Sequence, residues 1–186
     1  MKKIIVSLLL ALPVFSSAAG ETRTLKGVTM PASITLEGRT LGLNGMGLRT
    51  KIVFKVYVGG LYLEKNSGNG MEIAASEQLK RMELVFLRGV TGADVAEAII
   101  KGFENNAGAA LPALKARMTK FAALIPNVKS GDRLVFIYRP GAGLEVQANG
   151  KTAGSIDGKD FSDTLFKVWL GEKPADKALK AGLLGQ

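Results

Sequence analysis

Residues 44–64 read NGMGLRTKIVFKVYVGGLYLE, and the fold class turns on them. The stretch opens on a glycine-punctuated turn, Asn44-Gly45-Met46-Gly47, followed by a single arginine, Arg49. Ile52, Phe54, Val56 and Val58 then alternate with Lys51, Val53, Lys55 and Tyr57. A period of two is the mark of a β-strand with one apolar and one mixed face. Gly59-Gly60 interrupts the run before Leu61, Tyr62 and Leu63. A glycine pair inside a strand marks either a bulge or a place where something packs close to the backbone. Just upstream, residues 39–43 alternate and lead into Asn44-Gly45, which predicts a type I′ hairpin at that dipeptide.

Working outward, residues 20–26 read as a loose polar start. Residues 28–31 and 34–36 read as short strands, with a turn at Glu37-Gly38. On the other side, residues 65–70 read as a loop and 79–87 as a strand. The pattern changes at Thr91, which with Asp94 makes a capping-box-like helix start. Val95, Ile99, Gly102 and Phe103 then share one helical face. Leu111, Leu114, Met118, Phe121 and Ile125 mark a second helix. Strand signals return at 134–139, followed by a hairpin, 144–148 with 151–156, around Asn149-Gly150. Phe161, Leu165, Val168 and Trp169 define a further helix that Gly171 and Pro174 close. A short helix at 176–184 ends the chain. Hairpin-linked groups of strands alternating with pairs of helices predict an α+β fold, an antiparallel β-sheet with a layer of helices on one face.

Residues 1–19 read as a signal peptide. Lys2 and Lys3 precede an apolar run at 4–15, and Ser16-Ser17-Ala18-Ala19 supplies small residues for cleavage. Cleavage is expected after Ala19, with Ala18 the second choice. The competing reading is an uncleaved anchor, but the run is shorter than the roughly 20 apolar residues that span a bilayer. The short signal is of bacterial type, which predicts a periplasmic or secreted protein with no integral membrane segment after cleavage. Residues 20–186 then form one domain with one core, expected to be a monomer.

Composition removes several chemistries. The 186 residues include no Cys and no His. Thiol and Ser–His nucleophiles, a His general base, ordinary zinc sites and disulfides are therefore excluded. Asp157 and Asp160 sit in a short turn that lacks the ligand count of a calcium loop. No metal, cofactor or catalytic residue is expected. The net charge is +9, but the cations are scattered, with no run of three. A nucleic-acid groove needs a concentrated stripe, so no nucleic-acid partner is expected.

Taken together, GMGLRTKIVFKVYVGGLYLE, LVFLRGVTGADVAEAIIKGFENN, SGDRLVFIYRPGAGLEVQANGKTAGSIDGKDF and FKVWLGEKPADKALKAGLLG resemble the bacterial chalcone isomerase-like proteins across the whole of 20–186. The resemblance implies an open-faced β-sandwich, an antiparallel sheet with a helical layer. It does not imply one activity, because the family holds plant isomerases and also relatives that bind fatty acids. Set against the plant enzymes, Arg49 matches the catalytic arginine that follows a Gly-x-Gly. Tyr57 falls near a threonine on the next strand, Val95 on the catalytic tyrosine and Gly102 on an asparagine. Val168-Trp169 falls on a Thr-Met pair that holds the substrate's second phenol. Only the arginine is kept. Val95 cannot polarise a ketone and Val168 cannot hydrogen-bond a phenol, so ring closure of a phenolate onto an enone loses its supports. One guanidinium among apolar walls suits an anionic head with an apolar tail, as in the fatty-acid-binding relatives, where an arginine and a tyrosine hold the head group.

The resemblance thus implies a hydrophobic, fatty-acid-like anion bound by Arg49, Tyr57, Val95, Ile99 and Trp169. Alternatives stay open at each position. Arg49 either anchors a ligand or, at the surface, caps a turn or pairs with an acidic neighbour. Tyr57 reaches Arg49 only if the chain turns near Arg49-Thr50-Lys51; if the strand runs straight from Asn44, the partner lies across the sheet, with Tyr62 a weaker candidate. Val95, Ile99, Phe103 and Trp169 line a pocket or simply fill the core. At the level of the whole protein, an isomerase or lyase and a partner-binding scaffold compete with the binder.

Overall fold

The computed structural model describes residues 20–186; the expected signal peptide lies outside them. Strands β1 (Thr22–Leu25) and β2 (Val28–Pro31) form a separate hairpin. Strands β3 (Ser33–Leu36), β4 (Arg39–Lys51), β5 (Phe54–Leu63), β6 (Lys80–Phe86), β7 (Arg133–Arg139), β8 (Gly143–Ala148) and β9 (Lys151–Ile156) make one seven-stranded sheet. Every neighbouring pair is antiparallel and spatial order is chain order, so the sheet is a plain meander. Helix α1 (Gly70–Ala75) lies between β5 and β6. Helices α2 (Gly92–Asn106) and α3 (Leu111–Ala122) lie between β6 and β7. Helices α4 (Lys159–Leu170) and α5 (Lys177–Leu183) follow β9.

The helices gather on one face. There Leu61, Leu84, Phe86 and Phe136 of the sheet pack with Ile99, Leu165, Trp169 and Leu179. The opposite face carries a smaller core, in which Val28 and Met30 of the β1–β2 hairpin cover Leu41, Tyr62, Val135 and Ile137. The expected α+β layering is therefore present. Residues 20–26 are not a loose start: Thr22–Leu25 pairs with β2 as half of this cover.

The largest departure from expectation lies in residues 44–64. The chain does not turn at Asn44-Gly45. It continues through them as part of β4, with a bulge at Asn44 where the β4–β5 register shifts, and turns at Ile52-Val53, where Lys51 pairs with Phe54. Two forces override the Asn-Gly turn signal. Asn44 is buried, and its amide donates to the Leu183 carbonyl at 2.8 Å and accepts from the Ser67 N–H at 2.9 Å. Gly45 is needed bare because α5 lies against it: a Cβ there would stand 2.1 Å from the Gly182 carbonyl oxygen. At Gly47 a Cβ would stand 2.4 Å from the Leu179 oxygen. These glycines serve a backbone-on-backbone contact, not a turn. Gly59-Gly60 follows the same logic. The β5–β6 register is unbroken there, and a Cβ on Gly60 would meet Met30 Sδ at 2.3 Å.

Helix α1 was not expected, although its N-cap is plain: Asn69 Oδ1 accepts from the N–H groups of Met71 and Glu72. At six residues it is too short for periodicity to reveal. Its C-terminal carbonyls are held from outside. The fully buried Lys80 ammonium donates to Ile73, Ala74 and Ser76 oxygens at 3.0, 2.8 and 2.9 Å. Helix α2 begins as its sequence predicts, with Thr91 Oγ1 accepting from Asp94 N–H at 3.1 Å.

Candidate functional site

Because the turn falls at Ile52-Val53, Arg49 and Tyr57 are direct register partners on β4 and β5. Tyr57 in turn pairs with Phe86 on β6, and their rings meet edge-on at 5.6 Å between centroids. Over this strip lie α2, which contributes Val95 and Ile99, and the last turn of α4, which contributes Val168 and Trp169. Between sheet and helices runs a cleft of about 750 Å³. That is within the range of about 300–1,000 Å³ usual for small-molecule sites. Arg49, Tyr57, Val95, Ile99 and Trp169 all border it, as do Val56, Leu84, Phe86 and Val90. The walls are mainly apolar, while Arg49, Lys51, Asp94, Glu97 and Lys101 bring charge to its edges.

The polar groups form a short chain. The Trp169 indole N–H donates to the Tyr57 hydroxyl oxygen at 2.9 Å. Burial pushes the Tyr57 hydroxyl up to about 12; the Trp169 hydrogen bond and the Arg49 charge offset this only in part. Tyr57 is therefore a neutral phenol at ordinary pH, and its O–H hydrogen has no acceptor among the described residues. Arg49 Nη1 donates to the Thr50 carbonyl at 2.7 Å and pairs with Asp176 Oδ2 at 3.3 Å. Its Nε and Nη2 have no protein partner among the described residues. One side of the guanidinium is thus spent on the fold, and the other keeps donors free.

Asp176 is the N-cap of α5, accepting from Ala178 and Leu179 N–H at 2.9 and 3.0 Å. It also accepts from Thr50 N–H at 3.2 Å. Burial raises its carboxyl, but the Leu179 and Thr50 N–H groups and Arg49 outweigh that and hold it below the usual carboxylate value. Arg49 therefore pairs with an acidic neighbour, one of the sequence alternatives, and also borders the cleft.

Other candidates fall elsewhere. Tyr62 is fully buried on the opposite face, where its hydroxyl donates to the Pro31 carbonyl at 3.0 Å, so it cannot partner Arg49. Phe103 is core, packed on Phe161 at 4.8 Å, and does not border the cleft. Asp160 is held by Arg117, which donates to both its oxygens. Gly102 has a packing reason: a Cβ there would lie 2.5 Å from Val168 Cγ1. The two positions that carry polar groups in the plant enzymes are here pressed together as a wall between α2 and α4. Sequence reasoning missed Asp176, Phe86 and Lys51. Asp176 was legible as a helix start, but not as Arg49's neighbour 127 positions away.

An antiparallel meander with its helices on one face and an apolar cleft between the layers is the architecture of an open-faced β-sandwich. The chain belongs to the chalcone isomerase-like family, whose model matches residues 22–185. No curated protein sequence matches it. Among solved structures, it is similar to a fatty-acid binding protein of Arabidopsis thaliana, with a TM-score of 0.73 at 17% identity. The match covers 88% of this chain and 96% of that one.

Proposed function

We propose that this is an exported, monomeric, non-catalytic binder of a hydrophobic monocarboxylate of the fatty-acid type, working in the periplasm or outside the cell. One observation carries the reading. Arg49 and Tyr57, side by side across β4 and β5, turn unused donors toward one end of an apolar cleft. A carboxylate accepting from Arg49 Nε or Nη2 and from the Tyr57 O–H gains charge-assisted hydrogen bonds worth about 1.5–3 kcal/mol each. Its chain then lies along Phe86, Val95, Ile99 and Trp169. The fold shared with a plant fatty-acid binding protein is in keeping with this. Ring-closing catalysis is disfavoured by chemistry, since Val95 and Val168 offer no hydrogen bond where the enzymes need one.

The test is thermal unfolding of delipidated protein with dodecanoate and with dodecanol. At a ligand concentration 100 times Kd, binding adds about 2.7 kcal/mol. For a domain of this size that raises Tm by about 5–10 °C. Dodecanoate should give this rise, dodecanol much less, and Arg49→Gln should remove the difference. No shift with any amphipathic anion sinks the proposal. Native mass spectrometry of protein taken from the periplasm identifies whatever it carries there.

A further inference from the structure

The turn between β4 and β5 carries side chains that a two-residue hairpin does not need. Ile52, Val53 and Phe54 are consecutive and are 86%, 76% and 55% exposed, the most exposed large apolar side chains among the described residues. Ile52 also stands at φ 59°, at the first central position of the loop, where glycine is the usual occupant. A β-branched residue in that conformation is an outlier. A Gly-polar pair would turn the chain without strain and without apolar exposure. Strain kept together with exposure at one loop tip points to a use for these side chains.

The tip has a cationic collar. Lys51 and Lys55 flank it, and the Arg88 guanidinium lies over the Phe54 ring, 4.6 Å from its centroid. None of the three cations has an ion-pair partner among the described residues. No carboxylate occurs in the sequence between Arg49 and Glu64. An apolar wedge ringed by unpaired cations matches the interfacial layer of an anionic bilayer. The wedge enters the acyl boundary while the cations meet lipid phosphates. The same end of the sheet holds the cleft, since Arg49 and Lys51 both border it. At strand rise, the Arg49–Tyr57 pair lies roughly 10 Å from the tip. Interfacial insertion reaches about 5–10 Å, which would bring Arg49 to headgroup level.

We propose that the β4–β5 hairpin docks the protein on an anionic phospholipid surface, inserting Ile52, Val53 and Phe54 and holding the Arg49 end of the cleft against the headgroups. The docking stands on the hairpin alone; passage of a lipid between bilayer and cleft rests also on the carboxylate-binding reading. A second copy meeting tip to tip is the competing occupant, and it is opposed by the repulsion of six like charges, from Lys51, Lys55 and Arg88 twice over.

The chain has no cysteine, so a thiol-reactive, polarity-sensitive fluorophore can be placed at one position without background. Full-chain protein is labelled at Val53→Cys or, as control, at the exposed Ala153→Cys on β9. It is then titrated with vesicles of phosphatidylglycerol in phosphatidylcholine or of phosphatidylcholine alone. The expected result is a blue shift at position 53 only, at least tenfold weaker on phosphatidylcholine and reversed by high salt. Ile52→Ser with Phe54→Ser should weaken vesicle binding at least tenfold and leave the dodecanoate thermal shift in place. Lys55→Glu should also weaken it. No shift at 53 with the anionic vesicles overturns the proposal, as do equal shifts at 53 and 153. A shift that grows with protein concentration without vesicles overturns it in favour of a second copy. If position 53 responds but dodecanoate does not bind, docking stands and the carboxylate reading falls.

Discussion

Arg49 and Tyr57 face each other as register partners across β4 and β5, with the phenol held from behind by the Trp169 indole N–H. The phenol oxygen already accepts that N–H, so its own hydrogen is the group left for a ligand. Tyr57→Phe removes this donor and also strands the buried indole N–H. Dodecanoate affinity should fall about tenfold, and stability by about 1–2 kcal/mol. Trp169 is the only tryptophan in the chain, so intrinsic fluorescence reports both. Ligand addition should change Trp169 emission in the native protein, and unchanged emission at saturating dodecanoate would place the ligand elsewhere.

Acid should loosen the same end of the molecule. The folded-state value of Asp176 lies below the ordinary carboxylate value of about 3.9. Its contribution to stability is therefore fully present above that value and is lost as pH falls through the lower folded value. Asp176→Asn keeps a cap but not the charge. It should flatten the acid limb of the stability curve at a cost below about 1 kcal/mol at neutral pH. Urea midpoints from pH 2 to 7 for both proteins decide this, and parallel curves would refute it.

The contact between α5 and β4 allows no side chain. Gly45→Ala puts a Cβ against backbone rather than against a movable side chain. It should cost about 3 kcal/mol and shift α5, and Asp176 with it, away from Arg49. A denaturation midpoint equal to that of the unsubstituted chain would contradict the contact.

Alkaline titration reads the three tyrosines together. Burial raises Tyr57 and Tyr62 to about 12 and Tyr138 further still. Groups whose folded values are raised contribute stability that is complete below the unfolded value of about 10. That stability is lost as pH rises through the folded values. Tyrosinate absorbance of the native protein should stay flat through pH 10 and rise together with unfolding. In guanidinium it should rise near 10. A native rise near 10 with circular dichroism unchanged would show the phenols to be accessible.

Much of this fold was legible before the structure, and the failures have causes. Helices α2 and α4 declared themselves through the Thr91 cap and through apolar residues spaced by whole turns. The hairpin at Asn149-Gly150 followed from local turn chemistry, with positive φ at both residues. The same chemistry misled at Asn44-Gly45, because glycine there answers a helix that arrives more than 130 positions later. The true turn was hidden because Ile52 and Val53 are strand formers. That single displacement governed the site as well. Arg49 and Tyr57 were both readable as candidates, but their distance depended on where the chain reversed. The side-chain partners Trp169 and Asp176 come from elements brought in by tertiary packing alone, which no period along the chain encodes.

The glycine seat for α5 has a consequence for how the molecule is made. In the meander each strand pairs with the next strand in the chain, so the sheet can assemble progressively from consecutive contacts. Helix α5 is the exception: it follows β9 and α4 in the chain and must return to β4, one of the first strands. Until it does, Gly45 and Gly47 lie bare, Asn44 lacks the Leu183 carbonyl and Arg49 lacks Asp176. The cationic end of the cleft is therefore completed only when α5 has docked on β4.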